Sequence, residues 1–267
     1  MVERSGISLR CASLTVSVPG RLLVSDLSFE LRSGEFLAVL GQNGCGKTLT
    51  LQTLSGLRAP VSGSVSLHGM SVAAAHRKIL ARQLALLPQH TEDIFPSTVM
   101  ETVMIGRHPH IGRFRWESEL DRQCARNALH AVDLGELADR DLATLSGGER
   151  RRVAIAQILA QDPDVFLLDE PSNHLDPQHQ LDVLRLFRKL SQSGKSVVAS
   201  LHDVNLAARF ADSCLLLHGD GRWQLGDTQS ILSSASLSDL YATPVESVLW
   251  RDRQLFVAAG GGDESFR

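Results

Sequence analysis

The sequence contains no run of about 18 consecutive apolar residues, which is the length that a membrane-spanning helix needs. Its opening residues, Met1-Val-Glu-Arg-Ser5, lack the apolar core of a signal peptide. There are 27 basic and 30 acidic side chains, so no overall excess of positive charge indicates a nucleic-acid partner. With 267 residues, of which 43% are hydrophobic, the chain can form one or two globular domains.

Cysteine is also scarce. The four cysteines are far apart in the sequence and form no C-x-x-C pair: Cys11, Cys45, Cys124 and Cys214. Neither a zinc site nor a disulfide framework is therefore expected, which suits a reducing cytosol.

What the sequence does contain is a glycine-rich loop, Gly41 to Thr48, that fits the pattern G-x-x-x-x-G-K-[ST]. An apolar run before it predicts a buried strand, and the residues after it predict a helix. The loop glycines let backbone N–H groups point inward at an anion, and the helix N-terminus adds its dipole. Lys47 would reach the β- and γ-phosphates, and Thr48 would offer a hydroxyl to Mg²⁺. The residues predicted to contact a nucleoside triphosphate are Gly41, Gln42, Asn43, Gly44, Cys45, Gly46, Lys47, Thr48 and Leu49.

A second pattern lies downstream, where four apolar residues precede Asp169-Glu170. Acidic residues at the carboxyl end of a strand lie in the crevice where α/β sheets bind ligands. Asp169 would hold Mg²⁺, and Glu170 could polarise an attacking water. By itself the pair would more often be a solvated turn, but the glycine-rich loop favours the site.

The order of predicted elements indicates an α/β fold with a parallel-sheet core and helices on both faces. Residues 7–32 predict an antiparallel β subdomain around a turn at Pro19-Gly20, and residues 89–160 an inserted helical subdomain. Within the latter, a helix from Glu117 to Val132 is expected to bury one side formed by Leu120, Cys124, Leu129 and Val132. One domain would span residues 1–240. Residues 241–267 would be an extension with a disordered tail from Gly260.

The most specific string is Leu145-Ser-Gly-Gly-Glu149, which resembles the signature motif of the ATP-binding cassette (ABC) ATPases. It lies between the glycine-rich loop and Asp169, as in that family. Gln89 resembles the Q-loop glutamine, the string from Ser172 to Asp176 resembles the D-loop, and His202 resembles the switch histidine. The resemblance covers residues from about 7 to 235.

This resemblance implies a P-loop NTPase fold of the ABC ATPase type that binds ATP and Mg²⁺ and hydrolyses ATP. Two copies would pair head to tail, each ATP lying between one copy's P-loop and the other copy's signature motif. The implied catalytic residues are Glu170, His202 and Gln89. The implied contacts to the second nucleotide are Ser146, Gly147, Gly148, Glu149 and Asp176. The implied Mg²⁺ ligands are Thr48, Gln89 and Asp169.

The sequence shows one cassette, no membrane span and no long coiled coil. These features disfavour tandem translation factors, fused exporters and coiled-coil DNA-repair relatives, in that order. The string Phe95 to Glu101, followed by Gly106-Arg-His-Pro-His110, resembles importers of iron–siderophores, haem and cobalamin. A metal site at His108 and His110 is disfavoured because no third ligand is evident. In these importers the ATPase binds multi-span permease subunits at the cytoplasmic face of the membrane, and indirectly a substrate-binding protein. Residues 89–118 would face the permease, and their composition suits a partner groove that receives a helix. They mix apolar Ile94, Phe95, Val99, Met100 and Met104 with Arg107, Arg113 and Arg115. The alternative, which can be true in part, is that these residues pack a small helical subdomain.

Two other functions stay open: the ATPase of a different ABC transporter, and a soluble ABC ATPase with no transport role. A kinase is disfavoured because the signature motif and D-loop would then have no use.

The sequence departs from the family at two positions. Val18 stands where an aromatic usually stacks on adenine, and weaker stacking is expected as a result. Cys45 stands where serine is common. It is either a small residue that fills the loop, which is the favoured interpretation, or a thiol activated by Lys47 and the helix N-terminus.

Overall fold

The computed structural model describes residues 6–89, 96–112, 115–251 and 253–259. The predicted tail from Gly260 lies outside the described residues. The strands are β1 Ile7–Val18, β2 Arg21–Arg32, β3 Phe36–Leu40, β4 Ser62–Leu67, β5 Met70–Ser71, β6 Leu84–Leu87, β7 Val165–Asp169, β8 Ser196–Ser200, β9 Ser213–Leu217, β10 Trp223–Asp227, β11 Val245–Trp250 and β12 Arg253–Ala258. The α-helices are α1 Lys47–Leu54, α2 Arg77–Gln83, α3 Val99–Met104, α4 Glu119–His130, α5 Gly147–Gln161, α6 Pro177–Gln192, α7 Val204–Phe210, α8 Thr228–Ile231 and α9 Ser234–Tyr241. None of the described helices is long and apolar enough to cross a bilayer.

The central sheet has six strands in the order β10-β9-β3-β8-β7-β6. The strands from β9 to β6 run parallel, and only β10 is antiparallel to its neighbour. A second sheet, β2-β1-β4-β5, is antiparallel throughout. The α/β class and the antiparallel hairpin around Pro19-Gly20 are thus confirmed.

The central sheet separates two hydrophobic cores because successive side chains of a strand point to opposite faces. On β3, Phe36, Ala38 and Leu40 pack with helices α5, α6 and α7. Leu37 and Val39 instead face the antiparallel sheet and α1. All five side chains are essentially inaccessible to solvent, so this strand is buried on both faces as parallel strands are.

Helices α3, α4 and α5 pack together, and α5 also packs against β6. The start of α3 is a complete capping box between Thr98 and Glu101. On α4 the prediction is partly wrong. Leu129 and Val132 are buried, whereas the Leu120 side chain is 70% exposed.

Residues 241–259 contain a hairpin, β11–β12, that the sequence did not indicate. The hairpin contacts α9, where Ser238 Oγ accepts from the Val245 amide at 2.9 Å, and it contacts Asn205 at the start of α7. The Asn205 side chain accepts a hydrogen bond from the Phe256 amide at 2.8 Å and donates one to the Phe256 carbonyl at 3.1 Å. The side-chain amide of Asn205 therefore pairs with the backbone of Phe256 in the way that a neighbouring strand would. The Phe256 ring is buried.

We expect Gly106→Ala to destabilise the protein by about 1–3 kcal/mol, the range for an overpacked site. A Cβ at Gly106 would lie 2.1 Å from the Gln157 carbonyl oxygen of α5, and backbone cannot give way as a flexible side chain can. Gly226→Ala is the matched control, because a Cβ there meets only ordinary contacts, the nearest at 3.4 Å. Thermal unfolding of both variants checks this, and an equal melting temperature for the two would contradict it.

Candidate nucleotide-binding and hydrolytic site

The site lies along one edge of the central sheet, where three adjacent parallel strands end. The glycine-rich loop follows β3, Asp169 is the last residue of β7, and His202 lies two residues beyond β8. Since β8 is hydrogen-bonded to both β3 and β7, the ends of the three strands are neighbours. A cavity of about 550 Å³ opens at this edge and is lined in part by Lys47, Thr48, Gln89, Glu170 and His202.

The Lys47 side chain lies across the glycine-rich loop. Its ammonium donates to the Gly41 carbonyl at 2.8 Å and to the Gln42 carbonyl at 3.2 Å, and the residue is only 5% exposed. Helix α1 begins after Gly46, which adopts a left-handed φ of 107° and provides no side-chain cap. The N–H groups of the first helical turn therefore face the same place as a buried positive charge, an arrangement that suits a phosphate.

The Glu170 carboxylate is the centre of a compact polar cluster. Gln89 Nε2 donates to Glu170 Oε2 at 2.7 Å, and Asn173 Nδ2 donates to the same oxygen. His202 Nε2 lies 2.5 Å from the other oxygen, Oε1. The Glu170 side chain is 6% exposed, whereas that of His202 is 42% exposed, so the histidine lies on the solvent side. The structure thus brings together the three predicted catalytic residues.

Two contributors to this cluster were missed by the sequence reasoning. Ser200, the last residue of β8, donates to Asp169 Oδ1 at 2.7 Å and accepts from the Glu170 amide at 2.9 Å. Its position at the end of an apolar run, two residues before His202, could have indicated it. Asn173 lies within the D-loop string and is only three residues from Glu170, so a turn that closes on the carboxylate could have indicated it.

The signature motif lines a different cavity, of about 400 Å³, together with the D-loop. There Ser146 and Glu149 form a capping box at the start of α5, with Ser146 N donating to Glu149 Oε2 at 2.8 Å. Asp176 caps α6 by accepting from the His179 amide at 2.9 Å. The hydrogen bond from the Ser146 amide lowers the pKa of the Glu149 carboxyl group. The hydrogen bond from the His179 amide lowers the pKa of the Asp176 carboxyl group. Within one copy of the chain, therefore, the structure does not bring Ser146, Gly147, Gly148, Glu149 or Asp176 to the P-loop cavity.

A family model described as ABC transporter matches residues 24–173. The chain is 35% identical over 235 residues to the petrobactin import ATP-binding protein FpuD of Bacillus anthracis, and the aligned region covers 88% of this chain and 86% of that relative. It is 42% identical over 221 residues to the hemin import ATP-binding protein HmuV of Gloeobacter violaceus, with coverage of 80% and 79%. The chain belongs to the ABC transporter family.

Solved structures agree with this assignment. An inward-facing putative metal-chelate type ABC transporter contains a chain that superposes with a TM-score of 0.83 at 31% identity, covering 96% of this chain and 99% of that one. A dimeric bacterial ABC transporter cassette superposes with a TM-score of 0.72 at 26% identity, covering 82% and 98%. The protein is accordingly an ABC ATPase that binds and hydrolyses ATP.

In this ABC ATPase, the cavity wall nearest the end of β1 includes Val18, Arg21 and Leu23 among the described residues. The Arg21 guanidinium is tethered to the Gly219 carbonyl through Nε at 3.2 Å and Nη2 at 3.0 Å. Val18 lines the same cavity as the P-loop residues, so a larger side chain there would face the cavity.

We expect Val18→Tyr to tighten ATP binding about tenfold, because stacking of a base on an aromatic ring contributes about 1–3 kcal/mol. Val18→Leu is the control, since it adds bulk without an aromatic face. Calorimetric titration with ATP measures both variants. Equal affinity in the tyrosine and leucine variants would show that Val18 does not contact adenine.

Burial and charge both act on the thiol of Cys45. It is 2% exposed, and burial raises the pKa of its thiol despite the opposing charge of Lys47. A raised pKa leaves less thiolate at any pH below it, which lowers reactivity. The structure therefore favours the loop-filling interpretation of Cys45 over the activated thiol.

It follows that N-ethylmaleimide should label Cys45 in the native protein more slowly than Cys124, which is partly exposed. Quantifying each modified peptide by mass spectrometry over time measures the two rates within one sample. Faster labelling of Cys45 than of Cys124 at neutral pH would restore the activated-thiol interpretation.

Proposed function

We propose that this ABC ATPase is the energy-coupling subunit of an importer for an iron–siderophore complex, haem or cobalamin. The observation that carries the catalytic part is the Glu170 carboxylate held by Gln89, Asn173 and His202 at the edge of the P-loop cavity. The cargo class is supported by relatives named for petrobactin, hemin and ferric enterobactin import. The last of these, FepC of Escherichia coli, is 37% identical over 87% of the chain.

The geometry supports a role for each residue. Lys47 would exchange its two carbonyl partners for the β- and γ-phosphates of ATP, which attract a buried ammonium more strongly than neutral oxygens do. Glu170 would orient the attacking water or accept its proton, and His202 would donate to the γ-phosphate. Gln89 already donates to Glu170, and His202 Nε2 lies 2.5 Å from the same carboxylate.

A Mg²⁺ ion fits the oxygen donors at this edge. Asp169 is a carboxylate, 2% exposed, whose hydroxyl partner is Ser200, and carboxylate and hydroxyl oxygens are the ligands that Mg²⁺ prefers. Thr48, Gln89 and Asp169 would hold the ion. When bound, it supplies charge neutralisation at the β- and γ-phosphates.

The separation of the two cavities supports a head-to-tail pair. The P-loop cavity and the signature cavity are lined by different residues of one copy. In a head-to-tail pair, the signature motif of each copy would lie opposite the P-loop of the other copy. ATP bound between them would then form part of the interface. ATP binding would close this pair, and hydrolysis would allow it to reopen.

The permease surface differs in composition from the one expected. Val99 belongs to the buried core, and Arg107 is a buried residue that donates to Asp121 at 3.1 Å and to the Ala160 carbonyl at 2.7 Å. Neither can contact a partner, which corrects the expectation. Ile94, Phe95 and Arg113 lie outside the described residues. Among the described residues of this part of the chain, the exposed large apolar side chains are Ile105, Trp116 and Leu120, with Trp116 90% exposed. We propose that they contact the permease at the cytoplasmic face of the membrane.

Uptake by cells that carry Glu170→Gln in place of the native chain tests the proposal. Haem, ferric siderophores and cobalamin would be supplied separately. Loss of uptake of one of the three is expected. Glu246→Gln is the matched control, because Glu246 is exposed on β11, away from the site, and normal uptake is expected there. Normal uptake of all three cargoes in the Glu170→Gln cells would overturn the cargo class.

A soluble ATPase without a transport role predicts a different purification result. We expect a multi-span membrane protein to co-purify with the tagged chain from detergent extracts. We also expect Trp116→Ser to weaken that association while ATP hydrolysis by the purified subunit is unchanged. Purification without any membrane protein would favour the soluble alternative.

A further inference from the structure

Arg151 lies in the second turn of α5, two residues after the signature motif, and it is 5% exposed. Its two neighbours donate to carbonyls within the helical part of the chain: Arg150 to Leu145 and Ala143, and Arg152 to Val132, which follows α4. Arg151 differs from both, because its guanidinium reaches out of the helical part of the chain to the edge of the central sheet.

There the guanidinium donates to five backbone carbonyl oxygens. Three belong to the last residue of β7 and the turn after it: Asp169 at 2.6 Å, Glu170 at 2.8 Å and Pro171 at 3.4 Å. Two directly follow β6: Pro88 at 2.6 Å and Gln89 at 3.3 Å. These five acceptors are consecutive carbonyls of the two segments that carry Glu170 and Gln89.

Burial lowers the pKa of Arg151 to about 10, against the opposing charges of Asp169 and Glu170, so the group stays charged at neutral pH. A buried cation of this kind costs free energy, which its hydrogen bonds must offset. The turn that it holds is itself strained, since Glu170 has a left-handed φ of 50° without being glycine. Both the buried charge of Arg151 and the left-handed backbone of Glu170 are unfavourable for stability. Their presence together at the hydrolytic site indicates a role for Arg151 beyond packing.

We infer that Arg151 is a positioning residue for ATP hydrolysis: it clamps the backbone of Glu170 and of Gln89 to one guanidinium and thereby fixes their side chains against each other. The Gln89–Glu170 hydrogen bond of 2.7 Å is the contact that this clamp maintains. Because Arg151 lies on α5, which begins within the signature motif, the same clamp attaches α5 to the backbone of Glu170 in its own copy. The inference rests on the proposed roles of Glu170 and Gln89.

A double-mutant cycle tests it with purified protein. Arg151→Lys keeps the charge but has three donors on a single nitrogen, which cannot span both segments as a planar fork does. We expect kcat for ATP hydrolysis to fall about 10- to 100-fold, the effect of a misplaced catalytic group, while ATP affinity changes less than about twofold. In a Gln89→Ala background, the same Arg151→Lys change should lower kcat by no more than about twofold.

Arg151→Gln is measured in the same cycle, so that the test does not depend on one variant folding. Arg188→Lys is the control for general destabilisation. Arg188 forms a two-point ion pair with Asp212, at 2.7 Å and 2.9 Å, away from the cavity. We expect it to lower the melting temperature without changing kcat, when rates are compared well below every melting temperature.

The outcomes are distinct. The inference would be overturned if Arg151→Lys lowered kcat by the same factor in the native and the Gln89→Ala backgrounds. It would also be overturned if Arg188→Lys lowered kcat as much as Arg151→Lys does. A native rate in Gln89→Ala alone would overturn the role of Gln89 and this inference with it. The transport proposal would survive both results, because it depends on uptake and not on how Glu170 is held.

Discussion

Glu170→Gln is expected to lower the ATP hydrolysis rate by about 10²- to 10⁴-fold, the usual contribution of a general base, while ATP binding persists. The substitution should not disturb the cluster. The amide oxygen can accept from Gln89 and Asn173 as Oε2 does, and the new NH₂ group would face His202 Nε2, which can accept it in the appropriate tautomer. Phosphate release and calorimetric ATP titration on the same preparation measure the two effects.

Glu246→Gln again serves as the matched control, with native hydrolysis expected. Since hydrolysis would be blocked with ATP still bound, the Glu170→Gln variant should also accumulate as an ATP-dependent dimer, visible by light scattering. A hydrolysis rate within a few-fold of the native protein would mean that another group activates the water. Loss of ATP binding together with hydrolysis would mean that the carboxylate holds the loop rather than the water.

Lys47→Met is expected to weaken ATP binding by about 10- to 100-fold, which corresponds to the roughly 1.5–3 kcal/mol of a hydrogen bond to a charged group. Methionine keeps the length of the buried stem, so the change isolates the ammonium that now contacts the Gly41 and Gln42 carbonyls. Hydrolysis should fall at least as far. Titration with a fluorescent ATP analogue measures the affinity.

Lys195→Met is its matched control. That lysine forms ion pairs with Asp162 and Asp164 and does not line the P-loop cavity, so native affinity is expected. Equal affinities for Lys47→Met and the native protein would indicate that the loop amides alone hold the phosphates.

The catalytic edge was predictable because its parts are short, ordered strings placed directly after apolar runs. The glycine-rich loop, Asp169-Glu170 and His202 each follow a strand, and parallel strands bring such residues to a common edge. The sequence could not give the hydrogen bonds among them. Arg151 reads as one of three consecutive arginines, and only the tertiary structure distinguishes it from Arg150 and Arg152.

The errors also have physical causes. At 100° per residue, Leu120 lies about 180° around α4 from Leu129, so no single face can bury both, and the expected stripe was too wide. The β11–β12 hairpin was missed because most of its side chains are exposed and one of its attachments is to the side-chain amide of Asn205, which is distant in the sequence. A contact of that kind leaves no local pattern in the sequence.

The alternation along β3 has a consequence for protein engineering. Positions 37 and 39 belong to one core, and positions 36, 38 and 40 to the other. A combinatorial library confined to one of these sets, together with its partners on that face, would explore new side-chain arrangements while the opposite face keeps its native ones. The two halves of the molecule could therefore be redesigned in separate rounds, and the residue number alone tells the designer which half a substitution in this strand will affect.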